Sequence, residues 1–424
     1  MSKLIKSVRG MYDITPDEVW IWQRLEKLVT DTLNAYGYQQ VRFPIVEQTA
    51  LFHAAIGEAT DVVEKEMYTF ENRKGESFSL RPEGTASVVR LVLENALIRN
   101  QIQKLWYNGP MFRYEKPQQG RKRQFDQIGA EVFGLSGPDV DAELLLLTHR
   151  LWQLLGIEDV RLELNSLGTS ECRQRYRSVL IEYLNTYQDQ LDDEAKKRLH
   201  SNPLRILDSK NPDLKEIIAN APVMTDHLSA EAQDHFAELC QILDHCGLPY
   251  QINRRLVRGL DYYTHNVFEW ITDSLGAQGT ICAGGRYDKL VEMQGGKSTP
   301  ATGFAMGVDR LVVMIKNKNH WQVPARGDVY VVIDPCWSVA EATALVEKLR
   351  DALPNLSVLL NLGGGSFKSQ FKKADKSGAK FAIILGQDEK DQGLVSMRSL
   401  TDREAAQQQL TVADAVELLQ QHNI

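Results

Sequence analysis

Apolar side chains recur at helical spacing from Trp20 to Tyr36, where Trp22, Leu25, Leu28, Val29 and Leu33 predict an amphipathic helix stopping at Gly37. The pattern then shortens. Gln40 to Val46 reads as a strand broken by Pro44; a central proline removes a ladder hydrogen bond, which suggests an edge or an interface. Phe78 to Arg81 reads as a short strand running into the turn Pro82-Glu-Gly-Thr85, with helix from Ala86 to Asn95. Two longer strands, Gln103 to Arg113 and Arg123 to Phe133, flank a loop rich in Gly, Pro and Lys/Arg. A strong helix over Asp139 to Leu155 and a strand over Val160 to Asn165 follow.

From Ser170 to Gly247 the periodicity turns charged and helical with no strand pattern. Strands resume at Arg255 to Leu260 and Val267 to Ile271, and Pro300 to Lys316 carries a glycine-rich strand and then a helix. Residues 317–327 read as a linker. Beyond it lie a buried strand over 328–334, a helix over 338–352, a strand over 356–361, a helix over 366–377 and a strand from Phe381 to Leu385. Such alternation implies a small α/β domain. The layout is an α+β core over 1–169 and 248–318, a helical insertion over 170–247 and an α/β tail over 328–424.

Composition narrows the function. The 424 residues allow about two or three domains, and 43% apolar with 25% charged residues is ordinary for a globular protein. A net charge of −7 excludes binding to nucleic acid by bulk charge, so any RNA contact needs a local basic patch. The five cysteines contain no C-x-x-C, which argues against a disulfide framework and a cysteine zinc site. The nine histidines show no metal-ligand spacing, so no metal held by a recognisable protein motif is expected. No apolar run approaches the ~18 residues of a membrane helix. The N-terminal segment lacks an apolar signal region, so a cytoplasmic protein without membrane contact is expected. Gly295-Gly-Lys-Ser298 resembles the end of a phosphate loop, but Val291 stands where its first glycine belongs.

The two long strands carry the candidate chemistry. Side chains on a strand alternate faces, so Phe125, Gln127, Gly129 and Glu131 share one face, as do Arg113 and Glu115. Paired as a hairpin, the strands present an arginine, carboxylates, an amide and a ring together, with room at Gly129 for a ligand. Period alone leaves two readings open, a ligand site and a solvated face with incidental ion pairs. The connecting loop holds Lys116, Arg121, Lys122 and Arg123, either a phosphate or nucleic-acid contact or a solvated charge run.

Phe112-Arg-Tyr-Glu115 with Gly120-Arg-Lys-Arg-Gln-Phe125 resembles motif 2 of class II aminoacyl-tRNA synthetases, and Gly303-Phe-Ala-Met-Gly-Val-Asp-Arg310 resembles motif 3. The helix and strand leading to Pro44 resemble motif 1, the usual dimer element. Leu256-Val-Arg-Gly-Leu-Asp-Tyr-Tyr263 and Ala283-Gly-Gly-Arg-Tyr287 resemble the two motifs peculiar to histidyl-tRNA synthetases, and Leu80-Arg-Pro-Glu-Gly-Thr85 also fits. The resemblance runs from Arg9-Gly10 through the tail. It implies a class II catalytic core with an antiparallel sheet and flanking helices, a helical insertion and a C-terminal α/β anticodon-binding domain. It also implies a homodimeric histidine–tRNA ligase. That enzyme activates L-histidine with ATP to histidyl-adenylate, then transfers it to the 3′-terminal adenosine of tRNA(His).

The resemblance also implies roles. Both reactants of the first step are anions, so catalysis rests on positioning and cationic stabilisation, for which the planar fork of arginine is suited. Arg113 would hold the α-phosphate and the substrate carboxylate. Arg258 would flank the α-phosphate from the other side, so these two are the catalytic pair. Arg310 would reach the γ-phosphate, Phe125 would stack on adenine with Glu115 and Arg121 nearby, and Mg²⁺ would accompany the β- and γ-phosphates. Glu83, Thr85 and Gln127 would accept from the ammonium of histidine. Glu131 and Tyr263 would bind the two imidazole nitrogens, one of which donates and one of which accepts. Tyr262 and Tyr287 would line that pocket. Lys116, Lys122 and Arg123 of the loop, and Lys368, Lys372 and Lys373 of the tail, would contact tRNA. Lys368, Lys372 and Lys376 recur at i, i+4 and i+8, one face of a helix.

Period does not explain everything. Arg258 and Tyr263 lie an odd number of residues apart, on opposite faces of a regular strand, unless Gly259 permits a bulge. Three residues depart from the motifs: Asp309 for a common Glu, Lys122 for a common aromatic residue and Asp126 for a common His. The expected place of Lys122 and Asp126 is off the site face or in the tRNA-facing loop. Two other readings compete. A synthetase-like regulatory subunit of ATP phosphoribosyltransferase lacks the anticodon domain and degrades Leu256–Tyr263. A threonyl, prolyl or glycyl synthetase would not carry Glu83, Gln127, Glu131 and Tyr263.

Overall fold

Pro16 at the first helical position and Asp17 and Glu18 in the first turn set the start of α1 (Pro16–Ala35), whose stripe of Ile21, Trp22, Leu25, Val29 and Leu33 is buried. The chain continues through β1 (Gln39–Gln40), β2 (Val46–Gln48), α2 (Thr49–Ile56), β3 (Thr69–Glu71), β4 (Ser77–Leu80) and α3 (Thr85–Glu94). A long hairpin, β5 (Gln103–Phe112) and β6 (Gln124–Phe133), precedes α4 (Pro138–Leu155) and β7 (Arg161–Ser166). The charged stretch forms α5 (Ser170–Asn185), α6 (Asp193–Ser201), α7 (Lys215–Asn220) and α8 (Ala230–His245). Then follow β8 (Gln251–Ile252), β9 (Thr264–Ile271), β10 (Thr280–Arg286), α9 (Leu290–Met293), β11 (Ala301–Gly307) and α10 (Val308–Lys318). These elements belong to a unit ending at Trp321; a second unit runs from Gln322. The structure, a computed structural model, describes residues 4–57, 60–118, 120–209, 211–258, 260, 262–276, 279–325, 327–402 and 404–421.

Among the described residues, eight strands form one sheet in the order β1-β5-β6-β11-β10-β9-β7-β8. Its interior pairs are antiparallel, and only the outer pairs β1/β5 and β7/β8 are parallel. One face packs on α1, α4 and α10 through Trp22, Leu151, Phe268, Phe304 and Leu311. Ile128, Ala130 and Val132 of β6 point into that core, so the odd-numbered residues of β6 face the other way. The insertion has its own core around Tyr176, Leu180, Leu199 and Leu214. Leu239 and Leu243 of α8 instead join the main core.

Two sequence expectations need correction. Gln40 to Val46 is not one strand: β1 joins the large sheet, whereas β2 joins a small sheet β2-β4-β3, with Pro44 between them. The described residues of 255–260 form no strand. The Leu256 amide bonds back to Asn253 O, the Arg255 amide goes to Asn253 Oδ1, and Leu256 O accepts from Asn165 Nδ2. These partners, Asn253 nearby and Asn165 far along the chain, replace ladder bonds, and the strand that does pair here is the shorter β8. Gly259, the expected bulge, lies outside the described residues.

The second unit contains β12 (Val329–Ile333), α11 (Val339–Ala352), β13 (Val358–Leu360), α12 (Phe367–Ser377), β14 (Phe381–Leu385), α13 (Gln387–Gln392), β15 (Val395–Ser399), β16 (Gln408–Leu410) and α14 (Val412–Gln421). Ser338 and Glu341 close a capping box on α11. The βαβ alternation gives parallel β13, β12 and β14; β15 and β16, which no sequence pattern indicated, add antiparallel.

Candidate active site

Phe125, Gln127 and Glu131 of β6 line a cleft on the face away from the main core. The cleft is open to solvent on one side and lined by charged, polar and aromatic side chains that converge on it. Glu83 and Thr85 enter at the start of α3, Arg113, Glu115 and Arg121 from the loop between β5 and β6, and Arg310 from α10. Arg258, Tyr262 and Tyr263 come from the segment before β9, and Tyr287 follows β10. Every residue expected to bind histidine or ATP therefore faces one cleft. Arg258 and Tyr263 do so together although they lie an odd number of residues apart; the described residues of 255–263 form no strand, so the alternation rule does not apply to them. Arg173 of α5 steadies this segment by donating to Tyr263 O at 2.7 Å.

Glu131 is almost wholly buried, at 1% exposure. It accepts hydrogen bonds from Thr85 Oγ1 at 2.7 Å and from the Tyr287 hydroxyl. Burial pushes its carboxyl up to about 8, outweighing the two hydroxyl donors that favour the anion. Glu83 is raised by burial too, although the amides of Thr85 and Ala86 donate to its two oxygens at 2.7 and 2.8 Å. Each oxygen keeps a lone pair for a further donor.

Gln127 departs from expectation. Its Oε1 already accepts from the Gly84 amide at 3.1 Å and the Tyr107 hydroxyl at 3.2 Å. A carbonyl oxygen has two lone pairs, so the side chain offers the cleft its NH₂ as a donor. Glu83 and the Thr85 oxygen are then the acceptors left for an ammonium. Tyr107 escaped the sequence reading. The signal was the pair Gly84 and Gly129, because a Cβ at either would collide with its ring.

The other end of the cleft is cationic. Arg113 donates through Nε to Pro82 O at 2.8 Å and lies 5.4 Å from the Phe125 ring centroid. Glu115 pairs with Arg121 and stands 3.9 Å from Arg113. Arg310 donates to Gly120 O at 3.4 Å and to Thr280 O. Burial lowers its pKa, and Arg121 and Arg113 lower it further by repulsion. A polyanion between these guanidiniums would relieve that repulsion. Arg258 pairs with Glu269, but its Nε–H is buried without a partner, a donor suited to an anionic ligand.

The loop cations are less free than the sequence suggested. Lys116 is exposed. Lys122, expected to face RNA, instead pairs with buried Asp309 at 2.7 Å, near the rings of Tyr12 and Trp22. Arg123 lies 3.7 Å from the Tyr114 ring centroid and donates to Glu115 O at 3.2 Å. Both side chains hold the loop rather than project from it. Asp309 also accepts from the Asp126 amide at 2.9 Å. The three departures from the motifs therefore meet at one point. Burial, with Asp309 and Glu26, pushes the Asp126 carboxyl up to about 6. In the second unit Lys368, Lys372 and Lys376 are exposed along α12, with Gln370 and Ala374 buried on its opposite face. Lys373, also exposed, reaches Asn361 Oδ1 at 3.4 Å.

Comparison with known proteins agrees with this geometry. The family model for histidyl-tRNA synthetase matches residues 10–311, and that for an anticodon binding domain matches residues 328–422. A crystal structure of apo Staphylococcus aureus histidyl-tRNA synthetase is similar at 32% identity and a TM-score of 0.83, covering 98% of this chain and 99% of that one. Histidyl-tRNA synthetase from Nostoc shares the fold at 19% identity and a TM-score of 0.69, covering 99% of this chain and 100% of that one. A Bacillus halodurans protein described as an ATP phosphoribosyltransferase regulatory subunit/histidyl-tRNA synthetase shares it at 22% identity and a TM-score of 0.65, covering 91% and 99%.

Proposed function

The chain belongs to the histidyl-tRNA synthetase family, whose reaction is histidine–tRNA ligation, and on that premise we propose how its cleft carries both steps. A carboxylate oxygen of histidine attacks the α-phosphorus of ATP. The bond to the bridging oxygen breaks, and pyrophosphate leaves with its electrons. Arg113 and Arg258 hold the α-phosphate from opposite flanks, and Arg310 takes the γ-phosphate. Phe125 stacks on adenine beside Glu115 and Arg121. Mg²⁺ accompanies the β- and γ-phosphates as part of the nucleotide substrate. Glu83 and Thr85 accept from the ammonium, Gln127 donates to a substrate acceptor, and Glu131 and Tyr263 take the imidazole nitrogens between Tyr262 and Tyr287. A hydroxyl of the terminal adenosine of tRNA(His) then attacks the acyl carbon, and AMP departs.

The observation that carries this reading is the polarity of the cleft: a buried carboxyl that accepts from two hydroxyls at one end, and at the other Arg113, Arg121, Arg258 and Arg310 against the carboxylates of Glu115 and Glu269. Amino-acid-dependent ATP–pyrophosphate exchange, run without tRNA across all twenty amino acids, tests it. Exchange with histidine alone supports the assignment; exchange with another amino acid overturns the pocket. No exchange from folded protein would favour a regulatory role.

The second unit binds the anticodon arm through the α12 lysines. Reversing charge at Lys372 and Lys373 weakens tRNA(His) binding by about tenfold or more at moderate salt and leaves adenylate formation intact. Filter binding and exchange on the same variant check both parts, and unchanged tRNA affinity would sink the idea. Two copies pair through the motif 1 region, next to which Ile45 and Val46 are each 42% exposed and Phe70 of β3 46%. No helix among the described residues is long and apolar enough to cross a membrane; a cytoplasmic location is part of the proposal.

A further inference from the structure

The cleft arginines are held by groups that no motif names. Glu269 lies on β9 with its side chain 14% exposed. One carboxylate oxygen pairs with Arg258 Nη1. The other accepts from Thr280 Oγ1 at 2.8 Å. Thr280 opens β10, and its carbonyl accepts from Arg310 Nη1. A register shift between Thr280 and Cys282 interrupts the pairing of β10 with β9 here. Beyond the shift Glu269 stands opposite Ala283, so the irregularity lies between Thr280 and the residues in register with Glu269. Thr280 lines the cleft.

From this we infer that Glu269 and Thr280 form a bridge at the edge of the cleft that positions Arg258 and Arg310 together for phosphoryl chemistry. The inference rests on the reading of Arg258 as a phosphate-binding arginine. Glu269 acts through Arg258, so it is a positioning residue. The geometry supports coupling for two reasons. A long arginine side chain has many rotamers, and a carboxylate gripping one Nη fixes the fork, as Glu269 does here. The same carboxylate is itself fixed by the threonine whose backbone holds the second arginine. A shift of one guanidinium is therefore felt at the other.

Replacing Glu269 with Gln keeps the shape and removes the charge. Steady-state exchange should then show kcat reduced by about tenfold to a hundredfold, the scale of a misplaced catalytic group, with KM for histidine within about twofold. The decisive readout is the double variant. With Arg258→Ala already present, adding Glu269→Gln should cost less than about threefold, because the cation that its charge holds is gone while the amide oxygen still accepts from Thr280 and so keeps Arg310 in place. Glu269→Asp, charged but shorter, should recover part of the loss. Thr280→Val, which keeps the backbone carbonyl, should lower kcat by severalfold; it carries the test if Glu269→Gln does not fold. Full-strength losses from Glu269→Gln in both backgrounds would overturn the bridge, as would an unchanged kcat in folded Glu269→Gln or Thr280→Val. A normal rate in Arg258→Ala would instead refute the role of Arg258, so the two failures are distinguishable.

Discussion

Replacing Arg258 with alanine slows histidine-dependent ATP–pyrophosphate exchange by roughly a hundredfold to a thousandfold, the loss expected when one preorganised charge-stabilising group is removed. The side chain sits in the cleft with a buried, unpartnered Nε–H. Charge on the phosphorus oxygens grows as the new bond forms, and a guanidinium held beside them stabilises it. Its contribution should therefore appear mainly in kcat, with a smaller change in KM for ATP. Arg258→Lys keeps a positive charge but not the planar fork and should fall between wild type and alanine. Circular dichroism separates loss of chemistry from loss of fold, since alanine leaves Glu269 without its cation. A kcat within about fivefold of wild type would remove Arg258 from the mechanism.

Glu131→Gln raises KM for histidine by roughly threefold to tenfold, the worth of one neutral hydrogen bond. The amide replaces one of the two oxygens that accept from Thr85 and Tyr287 by NH₂, so only one of these bonds survives, and the acid proton is no longer there for the imidazole. The same variant changes how stability depends on pH. The folded protein holds the Glu131 proton until about pH 8, whereas an ordinary carboxyl releases it near 4.5. Between those values the native state binds more protons than the unfolded chain, so stability falls as pH rises. Glutamine has no proton to lose. The unliganded variant should therefore gain on wild type steadily from pH 5 to pH 8 in denaturant titrations. An equal pH slope in the two proteins would mean that the buried carboxyl is not protonated, and an unchanged KM would remove it from histidine recognition.

The legible part of this fold was its local periodicity. α1, α4, β5, β6 and the alternation of the tail declared themselves because one face of each is buried, and the period of apolar residues records that face. The face shared by Phe125, Gln127 and Glu131 was legible for the same reason. What period could not reach was backbone held by non-local side chains. The segment before β9 looks like a strand by composition, yet Asn165 and Asn253 take up its polar groups. The arginines and the histidine pocket came from motif order, not from spacing. Tyr107, Glu269 and Thr280 touch neither pattern nor motif, since their roles exist only through partners on other strands.

The meeting of Lys122, Asp126 and Asp309 has a consequence for exchange of parts between relatives. Taken singly, each looks like a tolerated eccentricity in an otherwise regular motif. Together they form one electrostatic unit spanning the loop, β6 and the first turn of α10, beside Arg310. A chimera that imports Glu at 309 alone must fit one more methylene into a buried ion pair. One that imports an aromatic residue at 122 alone leaves two carboxyls together without their cation. A change at 122 or 309 is therefore felt at its partner, whereas position 126 contributes its backbone amide whatever its side chain.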